Sequence, residues 1–93
     1  MFEACNLGVT DRRAEVAHGA GLPLMIDSTF TTPYLVRPFE LGADLVIHST
    51  TKYLNGHSDL VAGAVIGRTD LVEKITHKLN HLGGSLDPHT CFL

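Results

Sequence analysis

Asp44-Leu-Val-Ile-His-Ser-Thr-Thr-Lys52-Tyr-Leu-Asn-Gly-His-Ser58 is the stretch from which the architecture can be read. Leu45, Val46 and Ile47 make the short apolar run of a strand covered on both faces. The run stops abruptly at Ser49, Thr50 and Thr51, which crowd hydroxyls beside Lys52. Hydroxyls donate to phosphate oxygens without adding net charge, and a lysine supplies a nucleophilic amine. The stretch therefore suits a phosphate held next to an amine. Lys52 taken alone would read as a surface loop lysine, which most lysines are.

Outward from that stretch, strands and helices alternate. Leu22–Ile26 is a short apolar run ending at Asp27 and reads as a buried strand. Ligands of open α/β sheets collect at the carboxyl ends of strands, so two neighbouring parallel strands would put Asp27 and Lys52 in one crevice. Asp27 also suits an Asx turn opening the polar loop Ser28–Tyr34, which Pro33 closes. Pro38–Leu41 reads as a short helix stopped by Gly42. Leu60–Ile66 reads as a third strand, where Ala62, Gly63 and Ala64 allow close approach of neighbours. Thr10 is the expected N-cap of a first helix reaching Ala20, with Asp11 in its first turn and Ala14, Val16 and Ala17 on its apolar side. Asp70 is the expected cap of a second helix reaching Leu82, with Leu71, Ile75, Lys78, Leu79 and Leu82 on one side. Gly83-Gly84 breaks it, and Pro88 falls in a further loop. The pattern predicts an α/β fold, a mostly parallel sheet flanked by helices, without repeats or linkers.

Composition narrows the function classes. The net charge of −3 offers no basic footprint for nucleic acid. The longest apolar stretch, Leu60–Gly67, is far below the ~20 residues of a membrane span. No charged segment followed by an apolar one opens the chain, so no signal peptide is read. Cys5 and Cys91 follow no pattern, which fits a reducing cytoplasm better than a disulfide scaffold. His77 and His81 have a spacing that can hold a metal, yet Lys78 stands where a His-Glu-x-x-His motif needs Glu, and a solvated helix face is expected instead. His48 and His57 flank the lysine loop without the cysteine or carboxylate spacing of a zinc site. No metal is expected.

A phosphate beside an amine is the layout of a pyridoxal phosphate enzyme, in which the lysine forms the Schiff base. Asp44–His57 resembles the cofactor-lysine signature of the Cys/Met-metabolism (trans-sulfuration) family: an acidic and an apolar residue, three variable positions, two small residues, then Thr-Lys-aromatic-apolar-any-Gly-His. Ile26-Asp27-Ser-Thr-Phe-Thr-Thr-Pro33-Tyr34-Leu35 is similar to the family's second signature. Two matched motifs are more specific than either alone, and the likeness extends over most of the chain, weakest before about residue 10. The family contains cystathionine γ-synthase, cystathionine γ-lyase, methionine γ-lyase and the O-acyl-homoserine sulfhydrylases.

The resemblance implies the following. The fold would be part of the large cofactor-binding domain of a fold-type I pyridoxal phosphate enzyme, with residues 1–93 forming part of one such domain. Lys52 would be the catalytic lysine, binding the cofactor and then acting as general base. Asp27 would face the pyridine nitrogen and keep it protonated. Ser49 and Thr51 would bind the phosphate, although each alone also suits capping of a strand-to-loop turn. Asn6 would lie near the ring hydroxyl, with Leu7 where the family has proline. Tyr34, Arg37, Tyr53 and His57 take structural roles, Arg37 pairing with Glu40. The reaction would be elimination or replacement at the γ- or β-carbon of sulfur amino acids or O-acyl-homoserine. Partners would be a small amino-acid substrate and further copies of the chain, as a dimer of dimers in the full-length enzyme, without nucleic acid or membrane.

Two readings compete with this one. An aminotransferase would share the lysine and the aspartate but not the Thr51–His57 run. A truncated product that binds cofactor or partner without turnover is the other. Ninety-three residues is short against the ~100–200 of a typical domain, and Thr90-Cys-Phe-Leu93 ends inside an apolar run, so an internal fragment is expected. A chain of this size would bury only part of one sheet and leave strand edges prone to aggregation. By the resemblance, the Gly-rich phosphate loop and stacking tyrosine would lie upstream and the carboxylate-binding arginine downstream. The piece alone is then expected to be inactive.

Overall fold

A computed structural model describes residues 7–93, and side chains from residue 11 onward. Its centre is a three-stranded sheet in the order β1 (Met25–Asp27), β2 (Leu45–Ser49), β3 (Gly63–Gly67). β1 and β2 are parallel, with Met25 opposite Leu45 and Asp27 opposite Ile47. β2 and β3 are antiparallel, from Leu45 opposite Gly67 to Ser49 opposite Gly63. The expected parallel character thus holds for the first pairing, and the sheet as a whole is mixed. The connection decides this. Residues 28–44 carry two short helices, α2 (Thr32–Leu35) and a 3-10 helix (Pro38–Leu41), and make a crossover. Residues 50–62 contain no helix, so the chain turns back as a long hairpin.

The core is small and unusual in composition. Among the described residues, Ala14, Pro38, Ala43, Leu45 and Val46 are its buried apolar residues, and Ser28, Thr29, Thr31 and His48 are buried beside them. The polar group clusters on the loop after β1 and the end of β2, which is where the sequence places its chemistry. Helix α1 (Leu7–Gly19) packs across the 3-10 helix through Ala14. Gly42 makes that crossing possible. It ends the 3-10 helix in the left-handed region at φ 87°, and a Cβ there would meet the Ala14 Cβ at 2.9 Å.

Asp44 ties the amino ends of the strands to α1. Its Oδ2 accepts the Leu24 N–H and the His18 Nε2–H, both at 2.8 Å. Its own N–H donates to the Leu24 carbonyl at 2.9 Å.

Several boundaries differ from the sequence expectation. α1 already includes Leu7, so Thr10 lies inside it rather than at its cap. β1 begins at Met25, because Leu24 spends its carbonyl on Asp44 and Leu45 before the ladder starts. α2 forms inside the polar loop, and β3 begins at Gly63, after the Thr51–Ala62 contact described below. α3 (Thr69–Leu82) has Arg68 at its N-cap position, and Asp70 lies in the first turn, bonded to the Arg68 guanidinium at 3.0 and 3.1 Å. The expected loop at Pro88 is a helix, α4 (Pro88–Phe92). Asp87 caps it, accepting the N–H groups of His89 and Thr90 at 3.0 and 3.1 Å, and proline suits the first helical position. Leu71, Val72 and Ile75 of α3 are half-buried, whereas Leu79 and Leu82 stay exposed. Among the described residues no helix is long and apolar enough to cross a membrane.

Candidate active site at the carboxyl end of the sheet

Asp27 is the last residue of β1 and Ser49 the last of β2. Asp27 pairs with Ile47, and strand alternation returns Ser49 to that same face. Two of the marked residues therefore share one end and one face of the sheet.

Thr29 joins them. Its backbone N–H and its hydroxyl donate to Asp27 Oδ1 at 3.0 and 2.5 Å. The same hydroxyl accepts the Ser49 N–H at 2.8 Å. The Asx turn foreseen at Asp27 is thus present, and it engages only one carboxylate oxygen. Oδ2 has no partner among the described residues. The Thr29 hydroxyl, then its N–H, hold the Asp27 carboxyl below its ordinary range, and partial burial opposes them. Asp27 is accordingly an anion at neutral pH.

Lys52 follows from a tight turn. Its N–H donates to the Ser49 carbonyl at 3.2 Å, and its carbonyl accepts the Gly56 N–H at 2.8 Å. The Asn55 N–H meets the Thr50 carbonyl at 3.0 Å inside the same turn. Lys52 is exposed, and its amine has no partner among the described residues. The Ser49 hydroxyl is likewise unengaged among them.

Thr51 is placed differently. Its hydroxyl accepts the Ala62 N–H at 2.9 Å and donates to the Ala62 carbonyl at 3.2 Å. It clamps the returning limb of the hairpin. Phe30, after Thr29, meets Tyr53, after Lys52, edge to face at 6.0 Å, linking the aspartate loop to the lysine loop. Farther out, Asn55 Nδ2 donates to Asp59 at 2.7 Å, and His57 Nδ1 lies 2.9 Å from the Asn55 carbonyl. Thr32 and Ser58, one in each loop, have left-handed backbones at φ 56° and 58°, a conformation rare for residues with side chains.

Of the other sequence-marked residues, Arg37 pairs with Glu40 at 3.3 Å, as expected, and Tyr34 is exposed. His77 and His81 stack at 4.4 Å on the open side of α3, and no group of three metal-ligating residues occurs among the described residues. Cys91 is free and exposed. Asn6 and Cys5 lie outside the described residues. One site residue was not singled out in the sequence. Thr29 could have been, since an Asp followed two positions later by a hydroxyl is a turn signature. His48, marked in the sequence only as flanking the lysine loop without the spacing of a zinc site, is enclosed within β2. It is only 2% exposed, and its Nδ1 has no partner among the described residues.

The family profile described as "Cys/Met metabolism PLP-dependent enzyme" matches residues 6–93. The chain belongs to that family. Its cofactor is pyridoxal 5'-phosphate. An L-methionine gamma-lyase of Porphyromonas gingivalis is 43% identical over 93 residues, covering 95% of this chain and 23% of the relative. A cystathionine gamma-lyase of Bacillus subtilis is 47% identical over 81 residues, covering 86% and 21%. Among solved structures, cystathionine gamma-lyase from Lactobacillus plantarum complexed with L-serine superposes with a TM-score of 0.82 at 40% identity, over 87% of this chain and 22% of that one. The chain thus spans about a fifth of the length of the curated relatives it matches. The residues of this pyridoxal phosphate family member fit the cofactor: an ionised carboxylate with one open oxygen ends β1, a hydroxyl ends β2 and an amine lies in the turn after it, the open oxygen, the hydroxyl and the amine all without partners among the described residues.

Proposed function

We propose that the protein containing this chain catalyses pyridoxal phosphate-dependent elimination or replacement at the γ- or β-carbon of sulfur amino acids or O-acyl-homoserine, and that residues 1–93 are part of one cofactor-binding domain. The observation that carries the reading is the bonded series Asp27–Thr29–Ser49–Lys52 at the carboxyl end of β1 and β2. When bound, pyridoxal phosphate supplies a ring that withdraws electrons from the α-carbon of an amino acid.

This chain's residues would act around that ring as follows. Asp27 Oδ2 would face the ring nitrogen and keep its proton in place, being the carboxylate oxygen left open by the turn. The Ser49 hydroxyl would donate to a phosphate oxygen. Lys52 Nζ would hold the cofactor covalently, and after the substrate amine displaces it, would take the α-proton as general base. Thr51 would serve the phosphate through the loop it orders, its hydroxyl being engaged with Ala62. Asn6 would contact the ring hydroxyl. The relatives named methionine and cystathionine gamma-lyases support a leaving group on the γ-carbon. Soluble cytoplasmic location and a dimer of dimers are part of the same proposal.

The test is to express the protein at its natural full length and supply methionine, cystathionine and O-acetylhomoserine. Keto acid or a new thioether should form from at least one, and Lys52→Ala should abolish it. No product from any of them, with no borohydride-trappable cofactor, would sink the reading.

A further inference from the structure

We propose that Thr29 is the positioning residue of this site, its buried hydroxyl fixing the distance between the carboxylate that serves the ring end of the cofactor and the hydroxyl that serves the phosphate end. The proposal rests on the pyridoxal phosphate reading above and deepens it.

A threonine hydroxyl has one proton to give and two lone pairs. Here the proton goes to Asp27 Oδ1 at 2.5 Å, and a lone pair takes the Ser49 N–H at 2.8 Å. No proton is left with which to bind a ligand, so Thr29 acts on its two neighbours. Ser49 is the last residue of β2, and β1 has already ended at Asp27. The Ser49 N–H would have no ladder partner, and the Thr29 side chain takes the place of the missing strand carbonyl.

The rest of the loop is built to hold Thr29 there. The Ser28 N–H donates to the Ile47 carbonyl at 2.9 Å, and the Ser28 and Thr31 hydroxyls are bonded at 2.6 Å. All three polar residues are buried, Thr29 being 6% exposed, while Phe30 between them turns outward to Tyr53. A side chain buried this deeply and bonded twice is restrained from rotating. It therefore ties the ends of β1 and β2 into one cradle, the kind of support that fixes a site to sub-ångström tolerance. Among the described residues, the titratable group set against Asp27 is His48 of β2.

The experiment uses the protein at its natural full length, stripped of cofactor and titrated with pyridoxal 5'-phosphate. Binding is followed by visible absorbance, and cofactor orientation by visible circular dichroism. Thr29→Val keeps the shape and removes both bonds; it should weaken binding by about tenfold or more and reduce the dichroism. Thr29→Ser keeps both bonds and should bind within about twofold of the parent. In an Asp27→Asn background, Thr29→Val should cost clearly less than in the parent, because the two residues act as one unit. Should Thr29→Val not fold, Thr29→Cys, with its weaker donor and acceptor, takes its place and should fall between Ser and no binding. Parental binding in Thr29→Val, or strictly additive effects with Asp27→Asn, would overturn the proposal and leave the cofactor site standing. A parent protein that takes up no pyridoxal phosphate would overturn both.

Discussion

Thr51 and Ala62 are bonded through backbone and side chain together. The Thr51 N–H donates to the Ala62 carbonyl at 3.3 Å, its hydroxyl donates to that carbonyl at 3.2 Å, and the Ala62 N–H returns to the hydroxyl at 2.9 Å. Thr51 adjoins Lys52, so this clamp sets where the lysine's loop leaves and rejoins the sheet. Thr51→Val should strand the Ala62 N–H and cost about 1 kcal/mol of stability. Hydrogen exchange at Ala62 and across residues 51–56 should quicken, and Thr51→Ser should leave it unchanged. Protection unaltered in the valine variant would mean the clamp does not order the loop.

Lys52 bears the heaviest chemical duty in the proposed reaction. Lys52→Ala should eliminate borohydride-trappable cofactor and reduce turnover by roughly a thousandfold or more. Asp27→Ala should keep some trapping and lose most turnover, since it removes the partner of the ring nitrogen and leaves the amine in place. Full activity in the Asp27 variant would remove that residue from the mechanism.

Asp44 makes stability depend on pH in a defined direction. The Leu24 N–H, then the His18 ring, hold its carboxyl below the ordinary 3.8, with burial opposing. A carboxyl depressed on folding contributes stability that is fully present above its unfolded pKa and is lost as pH falls through the folded value. Asp27, Asp59, Asp70 and Asp87 are depressed as well. Urea midpoints should therefore hold from neutral down to about pH 4 and fall below it. Asp44→Asn should flatten part of that acid slope. Identical slopes in parent and variant would show that the Asp44 bonds are not specific to the folded state.

Two glycines are held by space. An alanine Cβ at Gly42 would sit 2.9 Å from the Ala14 Cβ and require the left-handed backbone as well. At Gly67 it would lie 2.7 Å from the Asp44 carbonyl oxygen, which cannot move aside without breaking β2. Either substitution should destabilise by about 1–3 kcal/mol. Gly63→Ala is the control, because its nearest neighbour, the His48 carbonyl, would be an ordinary 3.6 Å away. Thermal unfolding of the three variants checks the order.

Much of the candidate site was legible because its residues sit at or near punctuation. Asp27 and Ser49 stand where an apolar run gives way to polar residues, Lys52 follows three residues after Ser49, and strand ends are where open sheets gather ligands. The direction of β3 was not legible in the same way. It depends on what the 50–62 connection lacks, a helix, and Thr51's claim on Ala62 is a long-range bond that no periodicity records. Helix α4 was missed because Pro88 was placed in a loop, when Asp87 before it made it a helix start. Thr29 was passed over because a hydroxyl in a polar loop looks like solvent-facing surface until the fold encloses it.

The antiparallel return of β3 has an evolutionary reading. A lysine on a crossover between parallel strands would share its connection with a packed helix, and any change in length would disturb that packing. Here the chain departs and returns at the same end of the sheet, with Thr51 and Ala62 closing the neck. Residues 52–61, Lys52 first among them, form the excursion beyond that closure. Descendants of this sequence could lengthen or shorten that excursion, and so reshape what approaches the lysine, while inheriting the strand pairing unaltered.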